Sequence, residues 1–198
     1  MASIAARRLG KELKEIHSEG CPVGINLVKA DDFETWWFTI EVMGESEYKG
    51  EVYTLQFRFD GQYPISSPAV QFVITDGRQA PIHPHVYSNG HICASILGNE
   101  WSPVLSVTAV CVTLQSMLAS CKKKERPADN DRYVRHAPDN PKKTQFHYDG
   151  KKRVGLLSYE FTDPTNCLSL SDDTLHKRVI IPDLSSSPVE PSGGRGRT

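Results

Sequence analysis

The spacing of apolar residues changes along this chain, and each change marks a different kind of element. Ala6, Leu9, Leu13 and Ile16 recur at 3-4-3 intervals, the spacing of one face of an α-helix. A helix is therefore predicted over residues 3–17 with Ser3 as its N-cap. Gly20, Pro22 and Gly24 end it. The period then shortens to two: Tyr53, Leu55, Phe57 and Phe59 alternate with Thr54, Gln56 and Arg58, and Val70, Phe72 and Ile74 repeat the alternation. With the runs 25–29 and 36–43 these make four strands. Their connections are too short for parallel crossovers, so an antiparallel meander is expected. Helical spacing returns in Val107, Val110, Cys111, Leu114, Leu118 and Cys121 behind Ser106 as N-cap, giving an apolar face that covers the sheet. Beyond Arg126 the periodicity fades. Asp129-Asn130-Asp131 reads as a turn, Tyr133-Val134 as a short packed segment, and no helical pattern follows.

Length and composition bound what such a domain does. The 198 residues hold one domain of about 150 residues and an appendage. The expected division is a core at 1–150 and an extension at 151–198, partly or wholly disordered. Residues 184–198 are rich in Ser, Pro and Gly, with almost nothing to bury. A formal net charge of −1 gives no global attraction to nucleic acid or a membrane surface. No apolar run approaches the roughly 20 residues that span a bilayer, and residues 1–10 lack the apolar core of a secretion signal. Five cysteines in no disulfide-like spacing point to a reducing compartment, nucleus and cytoplasm. Cys111 and Cys121 fall on the apolar helix face and read as small core residues. Arg7, Lys11 and Lys14 form a basic ridge on the first helix, which by itself reads as the solvated side.

Candidate chemistry concentrates in His83-Pro84-His85-Val86-Tyr87-Ser88-Asn89-Gly90-His91-Ile92-Cys93. Three readings are open on the residues alone. Cys93 is a nucleophilic thiol, suited to acyl transfer because a thiolate is nucleophilic and its ester stays reactive toward amines. Alternatively His83, His85, His91 and Cys93 supply metal ligands, against which Pro84 restricts the His-x-His geometry. The third is a buried cysteine in an ordinary loop. Asn89-Gly90 favours a type I′ turn, with two positive φ angles placing Cys93 just past a sharp reversal.

The order of features narrows this choice. A basic helix, a four-strand meander, Tyr63-Pro64 with Pro68, His83-Pro84, Ser88-Asn89-Gly90 before Ile92-Cys93, Trp101-Ser102-Pro103 and a helix together resemble the ubiquitin-conjugating enzymes over residues 3–137. Within that family the segment from His85 to Cys93, and the later Asn140-Pro141-Lys142-Lys143-Thr144, are most similar to the W type, whose members attach ubiquitin to protein N-termini.

The resemblance implies an α+β ubiquitin-conjugating (UBC) fold with a poorly regular C-terminal part. It implies an acyltransferase that accepts ubiquitin as a thioester on Cys93 and passes it to a substrate amine, by preference an α-amino group (monoubiquitination). His83 falls on the family's motif histidine, a loop-shaping residue. His85 stands where the family carries Asn and would support the oxyanion or the loop. Asp129 matches the acidic gate near the cysteine. Arg7, Lys11 and Lys14 match the surface for the ubiquitin-activating enzyme. Ile65, Pro103 and Val104 match the patch for RING or U-box ligases, with Ile65 where most relatives carry Phe. Expected partners are ubiquitin, those enzymes and proteins with flexible N-termini, without nucleic acid or membrane. No metal or organic cofactor is expected in this chain, because the activating enzyme consumes the ATP and no phosphate-binding Gly-rich loop ending in Lys-Ser/Thr occurs here. Two alternatives stand beside this reading: a catalytically silent scaffold for ubiquitin or a ligase, which the presence of Cys93 opposes, and a conjugating enzyme for another ubiquitin-like modifier.

Overall fold

The structure, a computed structural model, describes residues 3–144; the 151–198 extension lies outside them. Helix α1 (Ile4–Glu19) starts where the side chain of Ser3 accepts a hydrogen bond from the Ala6 N–H at 3.0 Å, and Gly20, at φ 82°, ends it. Its inward face is Ala5, Leu9, Glu12 and Ile16. The expected stripe is corrected at two points: Ala5 rather than Ala6 is buried, and Leu13 is only partly covered because Glu12 takes the inward position.

Strands β1 (Ile25–Lys29), β2 (Thr35–Glu41), β3 (Val52–Arg58) and β4 (Ala69–Phe72) form one antiparallel sheet in chain order. Trp36 pairs with Phe57, Phe38 with Leu55, and Leu55 with Phe72. This register puts the large side chains on one face, all fully buried. β4 is shorter than the alternation suggests. Its ladder stops at Phe72, after which Val73 turns inward and Ile74 is 44% exposed.

Helix α2 (Val107–Ser120), capped by Ser106, buries Val107, Val110, Cys111, Leu114 and Leu118 in the same core as the inner face of the sheet. Burying each large apolar side chain contributes about 1.5–3 kcal/mol, so this layer carries most of the stability. A third helix, α3 (Asn130–His136), stands where a turn was expected. Asp129-Asn130-Asp131 is its first turn.

Glu12 is 4% exposed and joins three elements. Its carboxylate accepts from Arg8 Nε at 2.6 Å, Tyr63 OH at 2.7 Å and the Val107 N–H at 2.7 Å. Arg8 also donates to the carbonyls of Pro103 and Leu105, each at 2.9 Å. A buried carboxylate is tolerated because both of its oxygens accept hydrogen bonds, one of them from the charged Arg8, and the positive end of α2 faces it. Glu12→Ala would leave the Tyr63 hydroxyl and the first amide of α2 without their acceptor. The expected cost is about 3 kcal/mol, measured as a lower midpoint in urea unfolding.

Candidate active site

The segment from His83 to Cys93 folds back on itself, Val86 bridging to both His83 and Ile92, and meets β4 where His91 stands opposite Gln71. His83 is fully buried. Its Nδ1 accepts the His85 N–H at 2.9 Å, so the ring proton lies on Nε2, which donates to the main chain of Met117. The His83 carbonyl accepts the Val86 N–H at 3.0 Å, and the His85 carbonyl accepts the Cys93 N–H at 2.8 Å. One imidazole and these two main-chain bonds together set the register of the loop. The first nitrogen of the metal reading is accordingly occupied by a main-chain amide.

The tight turn differs from the expected type I′. The Gly90 N–H reaches the Tyr87 carbonyl at 2.9 Å, and the Tyr87 N–H reaches the His91 carbonyl at 2.9 Å. Gly90 has φ 88°, while Asn89 is not in the positive-φ region. This is a type I turn followed by a glycine bulge. Gly90 is required twice over, because a Cβ there would lie 2.1 Å from the Phe72 carbonyl oxygen. That approach lets the Phe72 N–H donate to the Gly90 carbonyl at 2.8 Å and ties the turn to β4.

Arg126 clasps the other side. Its guanidinium donates to the carbonyls of Pro81 at 2.6 Å, Val86 at 3.1 Å and Ala80 at 3.0 Å. Nothing in the sequence pattern singles this arginine out.

Cys93 is half-buried and free. Burial first, and the nearby charge of Asp129 second, push its thiol above the usual range. Asp129 therefore lies close enough to act on the sulfur electrostatically, while its carboxylate accepts from Tyr87 OH at 3.3 Å and pairs with Arg132 at 3.6 Å. Tyr133 of α3 stacks on Tyr87 with ring centres 3.8 Å apart, and its hydroxyl meets His91 Nδ1 at 3.0 Å. Asn130 clamps Ser88, accepting its N–H at 2.9 Å. Tyr87, Tyr133 and Asn130 were not among the expected site residues. Tyr133 was visible only as an aromatic in an otherwise polar stretch. His85 is held below the usual imidazole range chiefly by burial, partly offset by the Cys93 main chain against which its ring lies.

The remaining candidates sit on two other surfaces. Arg7, Lys11 and Lys14 are all exposed on α1, with Lys11 3.6 Å from Glu15. Ile65 is 68% and Val104 83% exposed, and Pro103 is also exposed. Their two loops are joined by the Trp101 indole N–H, which donates to the Pro64 carbonyl at 2.8 Å after a cis Tyr63-Pro64 bond.

A helix, a four-strand meander and a covering helix with a cysteine at the end of a His-Pro loop define a class, and sequence comparison agrees. The family model described as ubiquitin-conjugating enzyme matches residues 8–149. The chain belongs to the ubiquitin-conjugating enzyme family, and its architecture is the UBC fold. Within the family the similarity is to the W type. The chain is 46% identical over 154 residues to ubiquitin-conjugating enzyme E2 W of Caenorhabditis elegans, covering 75% of this chain and 99% of the relative. It is 46% identical over 151 residues to probable ubiquitin-conjugating enzyme E2 W-A of Danio rerio, covering 75% and 97%. Among solved structures, ubiquitin conjugating enzyme E2 UbcA1 from Agrocybe aegerita is 83% identical, with a TM-score of 0.70, covering 71% of this chain and 99% of that one. Membership makes the protein a transferase of the ubiquitination pathway, and the family implies ubiquitin, an activating enzyme and ligases as partners.

The geometry makes two pH statements. His83 is held neutral in the fold, its pKa lowered to about 4 from 6.5 by burial and by His85. A depressed imidazole binds fewer protons folded than unfolded, so its stabilising contribution is complete above pH 6.5 and is lost between 6.5 and about 4. The expected loss is about 3 kcal/mol, and His83→Gln should flatten that part of a stability-against-pH curve measured by chemical unfolding. The raised Cys93 thiol predicts iodoacetamide alkylation that keeps climbing beyond pH 9. Asp129→Asn removes the negative charge and should speed alkylation at pH 8 by roughly threefold.

Proposed function

We propose that this chain carries ubiquitin as a thioester on Cys93 and delivers it preferentially to the α-amino group of a protein with a flexible N-terminus, as a single ubiquitin. The observation that carries the reading is the pairing of an accessible, unactivated thiol with His85 at the adjoining position. A neutral imidazole has one N–H. Here the ring lies against the Cys93 main chain, and burial disfavours the second proton. His85 then serves the loop, and little donor capacity remains for an oxyanion above the sulfur.

Such a site asks much of its nucleophile. In the transfer step the amine nitrogen attacks the thioester carbonyl, an amide bond forms, the carbon–sulfur bond breaks, and the amine's proton goes to solvent as the thiolate leaves and is reprotonated. An α-amine with pKa about 7.7–8.0 is roughly one-tenth neutral at pH 7, against fewer than about 1 in 1,000 lysines at pKa about 10.4. The N-terminus therefore needs less base assistance. His83 shapes the loop, and Asp129 contributes charge at its rim. Arg7, Lys11 and Lys14 receive the activating enzyme, and Ile65, Pro103 and Val104 form the ligase patch. The smaller Ile65 favours ligases whose pocket is satisfied by less apolar area.

The test uses the full chain with ubiquitin, activating enzyme and ATP. The expected product is a reductant-sensitive adduct that is absent in Cys93→Ala and persists as an oxyester in Cys93→Ser. Discharge is then compared on two peptides carrying the same lysine, one with an acetylated N-terminus. The acetylated peptide should react at least about tenfold more slowly; equal rates would remove the N-terminal preference, and no adduct would remove the carrier role.

A further inference from the structure

Residues 139–144 run as a strap from the end of α3 back along β4 to the Ile65 loop. Their Asn-Pro-Lys-Lys-Thr motif has no part in the chemistry above. The strap is fixed at its start by Arg58, whose Nη2 donates to the Asp139 carbonyl at 2.8 Å and to Gln71 Oε1 at 2.6 Å. Asn140 then caps a single 3₁₀ turn, Pro141–Lys143, accepting the Lys142 N–H at 3.0 Å. At its far end Thr144 Oγ1 meets Tyr133 OH at 3.1 Å, the same hydroxyl that holds His91 in the wall beside Cys93.

Between those anchors Lys142 reaches across to the loop that presents Ile65. Its ammonium lies 3.1 Å from Asp60 Oδ2, 2.5 Å from Ser66 Oγ and 2.6 Å from the Ser67 carbonyl. An ammonium has three N–H donors, and three oxygens receive them. A lysine on an ordinary solvated face meets water instead. Two of the three acceptors are the residues next after Ile65, and the third opens the same loop. Burial pushes the Asp60 carboxyl up, but the Lys142 ammonium, the Gln62 N–H and the Ser66 hydroxyl together bring it below the usual range. Ser67 Oγ in turn donates to the Leu97 carbonyl, four residues beyond Cys93, at 2.9 Å.

We infer that Lys142 is a positioning residue for the ligase surface: the 139–144 strap holds the Ile65 loop from behind, in fixed relation to the wall of the active site. This rests on the reading of Ile65, Pro103 and Val104 as the ligase patch. Lys142 is itself exposed, and its ammonium is bound to the oxygens of the Ile65 loop rather than to any atom of Cys93. Its loss should leave the patch in place but free to shift, so that binding a ligase no longer transmits a defined geometry to the site.

The experiment compares wild type, Lys142→Met and Ile65→Ala as full chains. Met keeps the apolar stem and removes the charge. Three rates are read: charging by the activating enzyme, unaided discharge to a short peptide, and discharge with a RING domain chosen because it accelerates the wild type. In Lys142→Met, charging and unaided discharge should stay within about twofold, while RING acceleration falls about fivefold. Ile65→Ala should lose the acceleration outright, and adding Lys142→Met to it should cost nothing more. Full RING acceleration in Lys142→Met, with loss in Ile65→Ala, overturns the positioning role and leaves the ligase patch standing. Acceleration surviving in Ile65→Ala overturns the patch itself. All three rates falling together, with a lower unfolding midpoint, makes Lys142 a stabilising residue and overturns the inference too.

Discussion

A neutral imidazole with its proton on Nε2 is the condition on which the active-site loop rests. His83 Nδ1 has a lone pair to accept the His85 amide only while that nitrogen is bare. The same ring supplies a donor to the Met117 main chain from its other side. Protonation would replace the acceptor with a second donor aimed at an N–H. Complete burial guards against this by making the charged form expensive. Everything downstream inherits the geometry: the His85 carbonyl that seats the Cys93 amide, the bulge at Gly90, and the stacked tyrosines that close the wall.

The electrostatics around the sulfur follow from that seating. Half-burial and Asp129 both act against the thiolate. A thiol of raised pKa is a poorer leaving group than one of ordinary pKa, so an acyl group on it is released more slowly. Under the proposed function such a carrier would be selective by reluctance, favouring an amine that is already uncharged, which is a property of the acceptor. The buried Glu12 network plays a parallel part elsewhere in the fold. There one carboxylate aligns α1, the Tyr63 loop and the start of α2, and with them two of the three surfaces through which partners would act.

Much of this architecture is legible in the sequence because it is written in apolar period. The first and central helices and strands β2 and β3 bury side chains at regular intervals, and the helix caps Ser3 and Ser106 stand immediately before their helices. Where period is silent, the sequence misleads. None of the residues of α3 is buried, so there is no stripe to find; that helix is held by Tyr133 stacking on Tyr87 and by Asn130 on Ser88. Asn-Gly favours the type I′ turn, yet it also fits a type I turn followed by a glycine bulge. The choice between them falls to the Phe72 main chain, 18 residues away and close enough to exclude any side chain at Gly90. Glu12 hides for a related reason. A carboxylate on an apolar face looks like an interruption until Tyr63 and Val107 arrive from distant segments. Cys93 was recognisable from its neighbours in the motif, whereas Arg126 and Tyr133, which hold that motif in shape, carry no local mark.

Under the proposed function the protein presents an acyl thioester and leaves deprotonation of the nucleophile to the nucleophile itself. A single-turnover pH–rate profile addresses it directly, following discharge of the charged chain to a set of short peptides whose α-amines differ in pKa. Each profile is expected to rise with pH and level off at the pKa of the peptide used, moving as the peptide is changed. A common plateau reached at one lower pH for every peptide would reveal a base supplied by the protein and contradict that expectation.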